Sequence, residues 1–200
     1  HNLGIMYREG LGTAQDYGEA LIWFKRAADR GNHDAEYCLG EMYSEGQGVQ
    51  QDYAEALKWY RRSADSGDPA GENSLGNMYY HGHGVPQDYS EAVRLYRLGA
   101  DQGYSGAEFN LGYMYHHGLG VSQDYAKARK WYLKSAEQGY DHAEDGLGDL
   151  YYFGLGVPQD SGKALGWYRK AAEQGNAYSQ FSLGCMYDEG EGVSRDYEEA

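Results

Sequence analysis

Six aspartates recur at a single spacing and are the first candidates for acid–base chemistry. They are Asp16, Asp52, Asp88, Asp124, Asp160 and Asp196, each 36 residues from the next (52 − 16 = 36). A carboxylate can act as a general acid or base. Glu55, however, follows Asp52 by three residues, which is the spacing of a capping box at a helix N-terminus. Because the aspartate recurs in every unit, we interpret this column as helix caps rather than catalytic groups.

Four histidines lie close together in the sequence and could supply imidazole ligands to zinc. They are His81, His83, His116 and His117. His81 and His117 occupy equivalent positions of neighbouring units (117 − 81 = 36), and equivalent residues of packed helices lie at least about 8 to 10 Å apart. We therefore expect exposed histidines and no metal site.

Two further patterns could do chemistry and are interpreted structurally. Cys38 and Cys185 lie at different positions of their units, four units apart, so we expect free thiols. The segment Gly46-Gln47-Gly48 could be mistaken for a phosphate-binding loop, but it follows a predicted helix rather than a strand. We expect no cofactor.

The elements that position these residues come from one repeated unit. A Leu-Gly pair marks each copy, at Leu3-Gly4, Leu39-Gly40, Leu75-Gly76, Leu111-Gly112, Leu147-Gly148 and Leu183-Gly184. A fixed period of this length predicts a solenoid. We expect a single domain over residues 1–200, with five full repeats and part of a sixth. His1 falls inside a repeat, so we expect the chain to be a piece of a longer protein.

Each unit predicts two helices. Ala35, Leu39 and Tyr43 recur at helical spacing and define the core side of helix A, where Gly40 would let a neighbouring helix approach. Helix B follows Asp52 and carries small and aromatic residues at helical spacing. Its tryptophan column reads Trp23, Trp59, Leu95, Trp131, Trp167. Such a column favours packing between helices over a ligand site.

The net charge of −14 excludes a general nucleic-acid binder, which would need a basic face. Much of the acidity belongs to columns of the repeat, including the column of Glu36, Glu72, Glu108 and Glu144. Helix B carries basic residues such as Arg61 and Arg62, which we interpret as a solvated face. No apolar run reaches the roughly 18 residues needed to span a bilayer, so we expect no membrane insertion by this segment.

Written as one pattern, the unit A-x-x-x-L-G-x-M-Y-x-x-G-x-G-V-x-x-D-Y-x-x-A-x-x-W-Y-x-x-A-A-x-x-G resembles the Sel-1-like repeat, a relative of the tetratricopeptide repeat. The resemblance covers the whole chain. It implies an all-α fold, a right-handed α/α superhelix whose helices A line the concave side. Members of that family mostly act as scaffolds or adaptors. A secreted subclass has a cysteine pair in every repeat, and this chain lacks those pairs.

The candidate binding residues lie on helix A opposite its core side, at the positions of Tyr37, Glu41 and Ser44. These positions vary between units and combine aromatic rings with amides and carboxylates, a mixture typical of peptide recognition. The candidates are Asn77, Tyr80, Phe109, Tyr113, His116, Asp149 and Tyr152. The alternative is that neighbouring helices partly cover these rings.

We therefore expect a non-catalytic, monomeric scaffold that binds a protein or peptide segment along the concave helix A groove. One alternative is an architectural spacer without a specific groove ligand. A hydrolase-type enzyme is the other, and it should place a nucleophile, a base and an orienting group together in one unit that breaks the pattern. No unit does so in the sequence.

Overall fold

The computed structural model describes residues 1–192, and all the regular structure in that range is helical. The helices are α1 (Asn2–Glu9), α2 (Tyr17–Ala28), α3 (His33–Glu45), α4 (Tyr53–Asp65), α5 (Pro69–His81), α6 (Tyr89–Asp101), α7 (Ser105–His117), α8 (Tyr125–Glu137), α9 (Asp141–Tyr152), α10 (Ser161–Glu173) and α11 (Ala177–Glu189). Odd-numbered helices are the predicted helices A and even-numbered ones the predicted helices B. The all-α, helix-turn-helix prediction is confirmed.

The helices group into two compact units. The first unit is His1–Gln102 and contains α1 to α6, and the second unit begins at Gly103 and contains α7 to α11. Within each unit, every helix packs against the helix that follows it. The single-domain expectation for residues 1–200 stays a prediction.

Helices A and B of one repeat approach closely at the repeated glycine. A Cβ atom at Gly40 would lie 2.5 Å from the ring of Tyr60, which is too close for a side chain. The same contact joins Gly4 to Phe24, Gly76 to Tyr96, Gly112 to Tyr132 and Gly148 to Tyr168. The predicted role of the glycine is therefore confirmed, and it places a buried aromatic ring of helix B directly behind helix A.

The aspartate column caps the helices B. Oδ1 of Asp52 accepts hydrogen bonds from the N–H groups of Ala54 and Glu55, at 2.9 and 3.0 Å. The return bond of the predicted capping box is not made, because the Asp52 N–H donates to the carbonyl of Tyr43 at 2.9 Å. Glu55 instead pairs with Lys58 at 2.7 Å. Equivalent caps are made by Asp16, Asp88, Asp124 and Asp160, and Asp196 lies outside the described residues.

The turn between helices A and B requires glycine. Gly46 ends α3 with φ of 74°, and Gly48 follows with φ of 70°. Residues other than glycine rarely adopt this left-handed backbone conformation. A Cβ at Gly48 would also lie 2.6 Å from Cβ of Tyr17, so the turn packs against the preceding repeat. The pair therefore has a structural role in this turn.

The acidic column of helix A is buried and hydrogen-bonded. Glu108 is 2% exposed, and its Oε2 accepts from Nε2 of Gln138 at 2.7 Å. Glu72 and Glu144 bond Gln102 and Gln174 in the same way. Burial raises the pKa of all three carboxyl groups.

Glu36 has a different partner from the other three glutamates. Ser66 stands at its glutamine position (66 − 36 = 30, as 138 − 108 = 30) and has a short side chain. Arg62 supplies the bond instead, with Nη2 at 2.7 Å from Oε1 of Glu36. The repeat therefore preserves a partner for this buried carboxylate even where the glutamine is lost.

In each unit, tryptophans of helix B have basic side chains over their rings. Trp59 is half-buried, and the Arg62 guanidinium lies 4.7 Å from its ring centroid. Trp23, Trp131 and Trp167 have Arg26, Lys134 and Lys170 in the same relation, at 4.9, 4.6 and 4.3 Å. Leu95, which replaces tryptophan in this column, is buried. These four basic residues are therefore engaged with tryptophan rings of their own helices.

Candidate functional site

Three residues on successive turns of α7 face one cavity in the second unit. They are Phe109, Tyr113 and His116, and each is half-buried. Their spacing of four and three residues keeps them on one side of the helix. The cavity has a volume of about 430 Å³, and we call it the second-unit cavity.

Tyr132 of α8 lies behind these residues. Its ring stacks on Phe109 with the centroids 5.7 Å apart, and its hydroxyl lies 3.4 Å from Nδ1 of His116. The ring can reach this place because a Cβ at Gly112 would lie 2.6 Å from it. The alternative that neighbouring helices partly cover the candidate rings therefore holds for Phe109, which also packs against Tyr140.

Two aspartates one turn apart on α9 line the same cavity. Oδ1 of Asp149 accepts from the hydroxyl of Tyr168 at 2.7 Å, and Asp145 accepts from the hydroxyl of Ser179. Burial raises the pKa of both carboxyl groups, and the charge of Asp145 raises the pKa of Asp149 further. Within residues 1–192, no salt bridge to lysine or arginine is made by either carboxylate.

Among the histidines of the cavity, His116 is the one that burial affects most strongly, and burial favours its neutral form. Burial, together with the neighbouring His117, lowers the pKa of His116 to about 4. The two rings stack with centroids 4.6 Å apart. His142 of α9 also lines the cavity, with its ring centroid 5.8 Å from that of Phe109. His116 therefore brings no positive charge to the two aspartates at neutral pH.

Exposed aromatic rings surround the cavity. Phe153 is 62% exposed and Tyr178 is 75% exposed, and both line it. An adjoining cavity of about 180 Å³ shares Asp149 and Phe153 and is also lined by Phe181, which is 74% exposed. The second unit thus combines exposed rings with half-buried carboxylates in one place.

The predicted site residues fall into two groups. Phe109, Tyr113, His116 and Asp149 line the second-unit cavity, and Tyr152 lines the adjoining one. The other two belong to the first unit. There Asn77 lines a cavity of about 280 Å³ and accepts from the Tyr96 hydroxyl at 2.8 Å, whereas Tyr80 packs against His81 and Tyr89.

Sequence reasoning missed several residues of the second-unit cavity. They are His117, Tyr132, His142, Asp145, Phe153 and Tyr178. Tyr132 belongs to a column that looks purely structural, and its hydroxyl end is what reaches the cavity. Phe153 carried a usable signal, because its equivalent positions hold Glu9, Glu45, His81, His117 and Glu189. An aromatic ring among polar equivalents indicates an unusual surface.

The histidines do not assemble a metal site among the described residues. In the part of the chain that the structure describes, no three His, Cys, Asp or Glu side chains are arranged to hold a metal ion. His81 instead stacks on His83, with centroids 5.2 Å apart. Cys38 and Cys185 are free, and burial raises the pKa of the Cys38 thiol to about 11.

The repeated helix pairs define an α-helical repeat protein, and comparison with known families identifies which one. The Sel1 repeat pattern matches residues 1–32, 33–68, 69–104, 105–140, 142–176 and 177–200. The chain therefore belongs to the Sel1 repeat family. No curated protein matches the sequence significantly.

Solved structures of similar proteins agree with this assignment. A protective antigen of uropathogenic Escherichia coli with an SLR fold is 43% identical, with a TM-score of 0.88 over 99% of this chain. A Sel1 repeat protein from Oxalobacter formigenes is 40% identical, with a TM-score of 0.93 over the whole of this chain. An immunity protein from Pseudomonas aeruginosa is 25% identical, with a TM-score of 0.65 over 93% of this chain.

The lengths of these proteins differ from the length of this chain. The chain spans 42% of the Escherichia coli antigen, 82% of the Oxalobacter protein and 71% of the Pseudomonas immunity protein. Among the helices of residues 1–192, none combines the length and the hydrophobicity required to cross a bilayer.

Proposed function

We propose that this chain is a non-catalytic scaffold or adaptor that binds a segment of another protein at the second-unit cavity. One observation carries the proposal: the cavity combines half-buried rings and two half-buried carboxylates with Phe153, whose side chain is 62% exposed. Exposed apolar surface concentrated in one place is typical of a binding site.

The chemistry of the cavity favours a protein segment as the ligand. Aromatic rings are enriched among the residues that contribute most to protein–protein binding, because each buries a large area with few rotatable bonds. Tyr168 and Ser179 already orient the two aspartates, so the polar groups are held in place before a ligand arrives. A preorganised surface loses less entropy on binding.

The non-catalytic part of the proposal is supported by what the candidate catalytic groups do. The repeated aspartates accept hydrogen bonds at helix N-termini, as Asp124 does from the N–H of Lys127 at 3.0 Å. In the described parts of the two units, these carboxylates therefore serve as helix caps. The structural relatives include an immunity protein and a protective antigen, and neither description names an enzymatic activity.

The groove of the first unit is proposed as a separate contact surface. Its Asn77 and Tyr80 lie on α5 and are half-buried, like the candidate residues of α7. The first-unit cavity is lined by several polar groups, including Ser44, Ser74 and Asn77. No described phenylalanine or tyrosine of the first unit is largely exposed, so we expect its contribution to binding to be the smaller one.

A selection with a displayed library of random peptides on the immobilised chain tests this function. We expect enriched peptides whose affinity falls by at least about tenfold when Phe153 and Tyr178 are both changed to alanine, since buried aromatic residues at interfaces commonly contribute this much. Both rings are largely exposed, so the variant should retain the fold.

The matched control changes two exposed apolar residues elsewhere, Ile22→Ala and Leu98→Ala, which lie on helices B of the first unit. This control should bind the enriched peptides as the unchanged chain does. If the enriched peptides bind the variant with Phe153 and Tyr178 changed to alanine as tightly as they bind the unchanged chain, the site lies elsewhere. A selection that enriches no peptide above a blank surface would favour the spacer alternative.

A further inference from the structure

In the first unit an arginine pairs with a carboxylate of helix A. The second unit has no arginine at the equivalent position. Nη1 of Arg8 donates to Oε2 of Glu41 at 2.8 Å, and Tyr37 donates to Oε1 of the same carboxylate at 2.7 Å. The Arg8 guanidinium also lies 5.9 Å from the ring centroid of Phe24. The first unit thus satisfies a half-buried carboxylate with a guanidinium that is packed near an aromatic ring.

The equivalent residues of the second unit lie three repeats further along (3 × 36 = 108). Glu41 corresponds to Asp149, Arg8 to His116 and Phe24 to Tyr132. The carboxylate and the ring are therefore retained, whereas the arginine is replaced by a histidine. That histidine is held neutral, because burial lowers its pKa to about 4.

The surroundings of Asp149 carry a second negative charge instead of a compensating positive one. Asp145 corresponds to Tyr37 of the first unit (37 + 108 = 145), so a hydroxyl that stabilises Glu41 is replaced by another carboxylate. Half-buried carboxylates are disfavoured unless they are paired or hydrogen-bonded. Each aspartate accepts one hydroxyl hydrogen bond, from Tyr168 or Ser179, and carboxylates have capacity for more.

The basic residues of the second unit are segregated from this face. Within its described part, residues 103–192, every lysine and arginine lies on α8 or α10, and none lies on the helices A. They are Lys127, Arg129, Lys130, Lys134, Lys163, Arg169 and Lys170. Lys134 and Lys170 lie over tryptophan rings of the same helices, at 4.6 and 4.3 Å. No lysine or arginine of this described part therefore lines the cavity, whose basic side chains are His116, His117 and His142.

We propose that the second-unit cavity binds an arginine side chain of the partner segment, with the guanidinium paired to Asp149 and Asp145 and stacked against Phe109. The inference rests on the proposed protein-binding function and names the residue type that the partner inserts. Arginine suits the site better than lysine, because its planar guanidinium can donate to two carboxylates and stack on a ring at the same time. Phe109 and Tyr113 line the cavity, and aromatic rings attract a cation.

The test uses the intact chain and a minimal probe, the tripeptide acetyl-Gly-Arg-Gly-amide, followed by NMR titration. The control probe replaces arginine with citrulline, which has the same shape and no charge. We expect the arginine peptide to shift the resonances of Phe109, Asp145 and Asp149, with a dissociation constant at least about tenfold lower than that of the citrulline peptide. A tenfold ratio corresponds to about 1.4 kcal/mol.

Two variants localise the binding. Asp149→Asn keeps an oxygen for the Tyr168 hydroxyl but removes the charge, and it should weaken the arginine peptide by about tenfold. His116→Arg would supply an internal guanidinium, as Arg8 does for Glu41, and should also weaken it. Glu173→Gln makes the same charge change at an exposed position in the last turn of α10, and it should leave the affinity unchanged.

Three results would overturn the assignment. These are equal affinity for the arginine and citrulline peptides, unchanged affinity in Asp149→Asn, and equal or tighter binding of acetyl-Gly-Lys-Gly-amide. Such a result is distinguishable from failure of the proposed function. Library peptides that depend on Phe153 and Tyr178, but neither contain arginine nor respond to Asp149→Asn, would retain the binding function and remove arginine as its ligand.

Discussion

The first and second units share one scaffold but satisfy the equivalent carboxylate of helix A differently. In the first unit, Glu41 accepts from Arg8 of the preceding helix A at 2.8 Å. In the second unit, Asp149 accepts from Tyr168, and the position of Arg8 holds the neutral His116. The comparison teaches that a repeat protein can remove the internal arginine partner of a carboxylate while it leaves the close contact between helices A and B unchanged.

The packing contacts are the part of the comparison that should be equal. The close approach of helix B to helix A is the same in both units, since a Cβ would lie 2.5 Å from the ring of Tyr60 at Gly40 and 2.4 Å from that of Tyr168 at Gly148. Around the equivalent carboxylate the side chains differ, because Arg8 and Tyr37 of the first unit are replaced by His116 and Asp145 in the second. Substitutions at these two kinds of position should therefore behave differently.

The largest effect is expected for the glycines that the two units share. Gly40→Ala and Gly148→Ala should each lower the free energy of unfolding by about 1 to 3 kcal/mol, because the added methyl group overlaps a buried ring. Chemical denaturation followed by circular dichroism measures this. A large loss for one glycine and none for the other would break the structural equivalence of the two units.

Gly166→Ala is the matched control for these substitutions. Gly166 lies within α10, and apart from the nearby backbone of that helix and its two chain neighbours no atom lies within 4 Å of the place of its Cβ. We expect the alanine to stabilise the chain by about 0.5 to 1 kcal/mol, because glycine is unfavourable inside a helix. The opposite signs at Gly166 and Gly148 would separate packing from helix propensity.

A smaller effect is expected when the internal arginine of the first unit is removed. Arg8→His reproduces the residue that the second unit has at this position. The free energy of unfolding should fall by about 1 to 2 kcal/mol, because Glu41 loses a charge-assisted hydrogen bond in a half-buried place. Arg8→Lys, measured in the same way, should recover part of the loss. An unchanged stability in Arg8→His would mean that the pair contributes nothing measurable.

The smallest effect on the free energy of unfolding is expected for a substitution of Asp149. This substitution should stabilise the chain, whereas Arg8→His should destabilise it. The pKa of Asp149 is raised in the folded state, so the ionised carboxylate lowers stability at neutral pH. Asp149→Asn should raise the free energy of unfolding at pH 7 by roughly 0.5 to 1 kcal/mol, within the range of removed unfavourable charges.

This gain should depend on pH. It should disappear as the pH falls below about 4, the ordinary range of aspartate, because the carboxyl group is then protonated in both the folded and unfolded states. Thermal denaturation of both proteins between neutral and acid pH measures the difference. A gain that persists unchanged at acid pH would show that the charge of Asp149 is not its origin. The titratable groups that face this part of the cavity are Asp145, Tyr168, His116, His117 and His142.

The fold could be predicted from the sequence because its determinants are local and repeated. The caps at Asp52 and the close contact at Gly40 each follow from a residue type in a fixed column. The predicted return bond of the capping box, from Glu55 to the N–H of Asp52, is wrong. That N–H already donates to the carbonyl of Tyr43. That bond comes from the preceding helix A, and nothing in the capping pattern indicates it.

The candidate site could be predicted only in part, because the cavity depends on which side chains of different columns meet. The helical spacing identified Phe109, Tyr113 and His116 as one face. The hydroxyl groups of Tyr132 and Tyr168 reach the cavity from columns that look like core. Whether a carboxylate finds an internal cation is decided by long side chains such as Arg8, whose direction the repeat pattern does not define.

The most direct measurement is the carboxyl pKa of Asp149 by carbon NMR, with Asp149→Asn to assign the signal. In the free protein we expect a pKa above the ordinary range of aspartate, because the group is half-buried beside Asp145 without a cation. Saturation with acetyl-Gly-Arg-Gly-amide should lower this pKa, since a guanidinium favours the ionised form. An ordinary or lowered pKa in the free protein, or a pKa unchanged by saturating peptide, would contradict a site for arginine at Asp149.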